Sequence, residues 1–207
     1  MSVYSDHLFP RIYDFLMSIG ELDTRRAQHL QKVRGDILEV GIGTGRNLPY
    51  YPAGVNSLTG LDNNAGMLKQ LEKSVDCQSV DLRPVHGSTE SMPFRDNSFD
   101  TIVSTHSLCS MADRSGALSE IKRVLRPGGR FLFLEHGVSP EPNVARWQRR
   151  LNVLQSRLAV GCVLDMEVER ELTGAGFSFL EFTEGYQPNE RKILGYLYEG
   201  IAEVSDG

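Results

Sequence analysis

The sequence predicts an α/β protein: a mostly parallel sheet of seven strands, with helices on both faces and an antiparallel last strand. Three observations carry this. Short apolar runs alternate along the chain with segments of helical period. The first run, Asp36 to Val40, ends in three glycines within five residues, Gly41, Gly43 and Gly45. The final two strand-like runs are joined by too few residues for a parallel crossover, so the last strand must pair antiparallel.

The elements follow in order. Residues 5–33 read as two helical pieces. Leu8, Ile12, Phe15 or Leu16 and Ile19 form one stripe. After a break at Gly20, Asp23 or Thr24 caps a second helix carrying Ala27, Leu30 and Val33. DILEV (36–40) is a buried strand, and NSLTGLD (56–62) is a second strand ending on an acid. A helix covers 64–73. VDLRPVHG (80–87) is a third strand whose Pro84 suits an edge. FDTIVSTH (99–106) is the fourth. Asp113 caps the next helix, with Leu118, Ile121 and Leu125 on one face. RPGG (126–129) is a turn and RFLFLEH (130–136) the fifth strand. In the helix 143–158, Val144, Trp147, Leu151, Leu154 and Leu158 make a stripe, with Arg146, Arg149, Arg150 and Arg157 beside it. A short helix at 165–173 precedes strands at 177–183 and 191–198.

Composition bounds the function. The 207 residues suit one domain, and 40% hydrophobic with 24% charged content is that of a soluble globular protein. A net charge of −5 argues against a general nucleic-acid binder. No leader and no apolar run of about 20 residues is evident. The three cysteines, Cys77, Cys109 and Cys162, form no CxxC pair, which speaks against a structural zinc site and for reduced thiols in the cytoplasm.

A glycine-rich turn after the first strand brings bare backbone against a ligand. The helix expected after it would offer its first N–H groups to an anionic group. The spacing is GxGxG, not the GxGxxG of dinucleotide binders. Asp62 stands where a carboxylate accepts both hydroxyls of a ribose.

Four motifs occur in order: E-x-G-x-G-x-G from Glu39 to Gly45, the acid Asp62, GSTESMPFRDNSFDTIVSTHSL (87–108) and LSEIKRVLRPGGRFLFLEH (118–136). Together they resemble the class I S-adenosyl-L-methionine (SAM) methyltransferases of the methyltransferase-11/UbiE-like family. NLPYYP, SLCSM, FLEHG and the residues 161–177 resemble most the small bacterial relatives of the methyltransferase-like 7 thiol methyltransferases. Bacterial phospholipid N-methyltransferases share much of the pattern.

The resemblance implies a single Rossmann-like domain. Residues 1–33 would be a helical lid, 34–136 the SAM-binding core and 137–207 the substrate side. It implies SAM as methyl donor and a small, fairly apolar acceptor, thiol or amine. The chain is expected as a monomer or homodimer, with a membrane surface as the alternative partner of the 143–158 helix.

In this resemblance Gly41, Gly43 and Gly45 line the methionine part of SAM. Glu39 holds the loop or, through water, the ligand's amino group. Asp62 binds the ribose. Asn63 and Met67 flank the adenine, Met67 being equally suited to the core. Ser88, Thr89 and Glu90 meet the adenine edge, although Ser-Thr departs from the family's usual Asp-Ala. Thr105 and His106 face the methyl donor. Tyr13 reaches the cofactor carboxylate or packs in the core.

A general base is needed when the acceptor arrives protonated, and histidine is the side chain titrating nearest neutrality. His106 and His136 stand at carboxyl ends of central strands and are the catalytic candidates, ahead of Asp165. His7, His29 and His86 read as surface or capping residues, and Cys109 as packing.

Overall fold

The structure, a computed structural model, describes residues 22–55, 57–75, 81–158, 161–188 and 190–205. The first predicted helical stripe and Tyr13 lie outside them.

The elements are α1 (Leu22–Leu30), β1 (Asp36–Val40), β2 (Ser57–Asp62), α2 (Ala65–Val75), β3 (Leu82–His86), β4 (Phe99–Thr105), α3 (Arg114–Val124), β5 (Leu125–His136), α4 (Pro142–Leu158), α5 (Val168–Gly174), β6 (Phe177–Tyr186) and β7 (Tyr196–Val204). The seven strands form one sheet in the order β3-β2-β1-β4-β5-β7-β6. β1 to β5 pair parallel, and β7 runs antiparallel between β5 and β6. The parallel, helix-flanked sheet with a reversed last strand is as predicted. The insertion of β7 between β5 and β6 was not legible from local pattern.

Strand side chains alternate between faces, so each central strand feeds two cores. Leu38, Val40, Ile102, Phe131 and Phe133 pack on one face with Leu118 and Ile121 of α3 and with Phe177. Ile37, Leu58, Val103 and Leu132 pack on the other with Leu30, Leu68 and Leu71. All of these are buried. β3 lies at the sheet edge, where Pro84 leaves no interior ladder bond unmade.

Several local expectations are corrected. α1 starts at Leu22, ahead of both Asp23 and Thr24, the expected caps. β5 starts at Leu125: the RPGG stretch continues the strand through a register shift between Phe99 and Thr101, with Gly128 at φ 71°. β7 starts at Tyr196, and residues 191–195 form a turn in which Gln187 N–H donates to the Gly195 carbonyl at 2.7 Å. The α4 stripe does not define its buried face. Trp147 is 52% exposed, whereas Gln148 is buried and donates to the carbonyls of Gly137 and Ile193, both at 3.2 Å. A glutamine whose amide is fully partnered tolerates such burial. Asp113 does cap α3, accepting from Gly116 N–H at 2.9 Å.

Candidate functional site

Because β1 to β5 are parallel, their carboxyl ends share one edge of the sheet. The chain order reverses between β1 and β4, and ligands of open α/β sheets bind at that point. Four of the predicted groups follow directly: the glycine loop after β1, Asp62 closing β2, His106 after β4 and His136 closing β5. Residues 88–90, just beyond β3, lie at the same edge.

The loop is tied to the end of β2 by backbone hydrogen bonds. Gly41 N–H and Ile42 N–H both donate to the Leu61 carbonyl, at 2.7 and 3.1 Å. Gly43 N–H donates to Asp62 Oδ2 at 2.8 Å, and Asn64 N–H to Asp62 Oδ1 at 2.8 Å. Gly41 and Gly43 have φ of 66° and 58°, which side-chain-bearing residues rarely adopt. A Cβ on Gly41 would strike Ser107 Oγ at 1.9 Å, while one on Gly43 meets nothing nearer than the Gly41 carbonyl, 4.0 Å away. Gly45 is packed against Leu48 and Leu71. Residues after the loop make a single 3₁₀ turn, Leu48–Tyr50, in place of the expected α-helix.

Glu39, the penultimate residue of β1, is buried and its two oxygens are taken. Asn47 Nδ2 donates to Oε1 at 2.9 Å and Tyr51 OH to Oε2 at 2.8 Å. Burial pushes its carboxyl up to about 7 against these hydrogen bonds. Asn47 also donates to Thr105 Oγ1 at 3.0 Å, tying the loop to the end of β4. Asp62 is likewise pushed up by burial, while the two backbone donors pull it down.

The adenine-side candidates diverge. Met67 is 7% exposed, and Asn63 is exposed with its carbonyl 3.1 Å from His86 Nε2. Thr89 is buried. Glu90 is engaged in loop structure: Oε1 accepts from Asp113 N–H at 2.8 Å, and its own N–H donates to Ser88 Oγ at 3.1 Å.

His106 and His136 meet, Nδ1 to Nδ1 at 3.0 Å. His106 is buried, at φ 51°, and burial followed by the neighbouring His136 drives its basicity well below the ordinary imidazole value. His136 is half-buried. Asp165 lies on the α4–α5 connection, which also carries Cys162.

Three residues escaped the sequence reading. Glu135, buried on β5, accepts from Ser104 OH at 2.7 Å and from the N–H groups of Ser107 at 3.1 Å and Leu108 at 3.2 Å. It thereby fixes the turn carrying His106 and Cys109. Arg26 of α1 is buried, and its charge acts on both Glu39 and His106. Cys162 sits 3.4 Å from Cys109, sulfur to sulfur. The contact, with burial, raises the Cys109 thiol, and the same contact lowers that of Cys162. His29, read as a surface or capping residue, stands in the last turn of α1 but is buried against Glu199 at 3.2 Å. A period-3.6 reading of α1 marks only apolar residues, so both Arg26 and His29 were invisible to it.

A glycine turn closing one strand and a carboxylate closing the next, at the switch point of a parallel sheet, is the arrangement of a nucleotide-cofactor enzyme. Residues 38–133 match the Methyltransferase domain family. Human thiol S-methyltransferase TMT1B is 37% identical over 163 residues, 76% of this chain and 65% of that protein. Phosphatidylethanolamine N-methyltransferase of Cereibacter sphaeroides is 31% identical over 165 residues, 77% of this chain and 79% of that one. The solved SAM-dependent methyltransferase of Methanosarcina mazei superposes with a TM-score of 0.65 at 19% identity, over 86% of this chain and 97% of that one.

The chain belongs to the SAM-dependent methyltransferase family, with SAM as the cofactor. It spans just under two thirds of the length of the thiol methyltransferases it matches. The residues present fit that cofactor: the Gly43 backbone faces open space beside the Asp62 carboxylate.

Proposed function

We propose that this chain transfers the methyl group of SAM to a small, fairly apolar thiol or amine. The observation that carries the reading is the His106–His136 pair at the same sheet edge as the glycine loop and Asp62. SAM, when bound, supplies a methyl already activated by its sulfonium. What remains for the chain is to bind, align and deprotonate.

In this reading the backbone of Gly41 and Gly43 lies against the methionine end, with Gly45 setting the turn behind them. Asp62 accepts the ribose hydroxyls through the lone pairs its two backbone donors leave free. Met67 and Asn63 flank the adenine, and Ser88 and Thr89 border its edge. Glu39 and Thr105 hold the loop through Asn47 rather than touching the ligand. Glu90 is part of the loop scaffold. His136, the less buried of the pair, takes the acceptor's proton. His106, kept neutral by burial, orients it through Nδ1.

The names of the relatives support a thiol or an amine, and the cytoplasm is the proposed site of action. A second reading, transfer to a phospholipid amine at a membrane surface, is favoured by α4. That helix exposes Trp147 with Arg150 stacked on it at 5.4 Å, beside Arg146 and Arg149. Among the described residues no helix is long and apolar enough to cross a membrane.

The test is calorimetry with SAM, S-adenosylhomocysteine and NAD, followed by turnover with alkyl thiols, alkyl amines and phosphatidylethanolamine vesicles. Micromolar SAM binding with thiol or amine turnover supports the first reading. Turnover of vesicles alone, weakened by salt, favours the second. SAM binding with no turnover of any acceptor would leave a SAM-binding protein, and no SAM binding would remove the basis of both.

A further inference from the structure

Three soft or borderline donors converge from separate stretches of chain. Cys109 sits in the 3₁₀ turn Leu108–Ser110 after β4, His136 ends β5, and Cys162 lies on the α4–α5 connection. One donor atom from each lies within 4.8 Å of the other two. Val163 N–H donates to the Cys109 carbonyl at 2.9 Å, so the connection is pinned to the turn beside the two sulfurs. Glu135 pins the same turn through the N–H groups of Ser107 and Leu108.

Two thiols and an imidazole are the donor set of a thiophilic ion. With Zn–S about 2.3 Å, tetrahedral geometry holds two sulfurs about 3.8 Å apart. The observed 3.4 Å is a few tenths of an ångström short of that. A disulfide requires a separation of about 2.05 Å and makes no use of an imidazole. His136 Nδ1 is already engaged by His106, which leaves Nε2 for an ion. Metal-ligating histidines commonly have their other nitrogen held in this way.

We propose that Cys109, Cys162 and His136 form a binding site for a thiophilic divalent ion, for which Zn²⁺ is the probe. Three protein donors leave one position for an outside ligand. On coordination each thiol gives its proton to solvent, and the ion takes both sulfurs and the ring nitrogen. The ion and an acceptor's proton compete for that nitrogen, so the site is tested without SAM or acceptor. Its failure therefore leaves the methyl-transfer reading untouched.

The experiment uses the full chain carrying Cys77→Ser, reduced and freed of metal, titrated with Zn²⁺ against a chromophoric chelator and with Co²⁺ by absorption. The expected result is one equivalent bound, with a thiolate-to-cobalt charge-transfer band and protection of Cys109 and Cys162 from alkylation. Cys162→Ser loses the band, and His106→Gln, which removes the orienting partner, weakens Zn²⁺ roughly 10–100-fold. Absence of the band, a band unchanged in Cys162→Ser, or alkylation unaffected by Zn²⁺ would overturn the proposal. So would a reduced chain that binds no ion yet loses two hydrogens in air, which would make the cysteines a redox pair.

Discussion

Nδ1 of His106 and Nδ1 of His136 lie 3.0 Å apart, so one ring donates and the other accepts, and both cannot be protonated together. His106 is the buried member, and its charged form is disfavoured first by desolvation. His136→Ala is therefore expected to lower turnover roughly 10²–10⁴-fold, the range of a lost general base. SAM affinity measured by calorimetry should be unchanged. Full turnover in that variant would make the residue structural.

Asp62 holds the loop, and in the proposed reading it also meets the ligand. Its oxygens already accept from Gly43 and Asn64 N–H groups. Asp62→Ala should weaken SAM by about 1.5–3 kcal/mol, the range for a charged hydrogen-bond partner. Titration of SAM into the variant reads this directly. Unaltered affinity would place the ribose elsewhere.

The two glycines separate packing from binding. Alanine at either position carries the left-handed strain of roughly 1–2 kcal/mol. At Gly41 the methyl also collides with Ser107, whereas at Gly43 it enters open space. Urea midpoints should fall further for Gly41→Ala, and SAM affinity should fall further, relative to stability, for Gly43→Ala. The reverse order would mean that the ligand does not lie against Gly43.

Much of this was legible because it is local. The apolar runs of β1, β2 and β4 are buried on both faces, and the glycine loop and Asp62 are fixed by strand ends. What was illegible is non-local. Cys109 and Cys162 stand 53 residues apart, and only the α4–α5 connection brings them together. Glu135 reads as the tail of a strand until its carboxylate is seen capping a turn. Residues 191–195 pass for strand by composition, but the pairing of β7 with both β5 and β6 sets its true start.

Glu39 gives stability a pH dependence of defined sign. Its folded value, about 7, lies above the ordinary 4.5 because the carboxyl is buried. Below about pH 4.5 the group is protonated in both states. Between 4.5 and 7 the unfolded chain ionises first, so stability falls as pH rises, by about 3 kcal/mol in all. Glu39→Gln should flatten that part of the stability curve in urea melts taken across this window. An unchanged slope would assign the dependence to other groups.

Glu135 tests whether the turn after β4 depends on one carboxylate. Ser107 and Leu108 N–H groups both donate to Oε1, in a buried setting where an unpartnered donor costs about 1–3 kcal/mol. Glu135→Ala should therefore destabilise the chain by at least that much and reduce turnover, since His106 lies just ahead of that turn. Glu135→Gln keeps one carbonyl acceptor and removes a buried acid, so it should retain most of the stability. Comparison of the two urea midpoints decides it. Equal loss in both variants would show that the charge, and not the acceptor geometry, holds the turn.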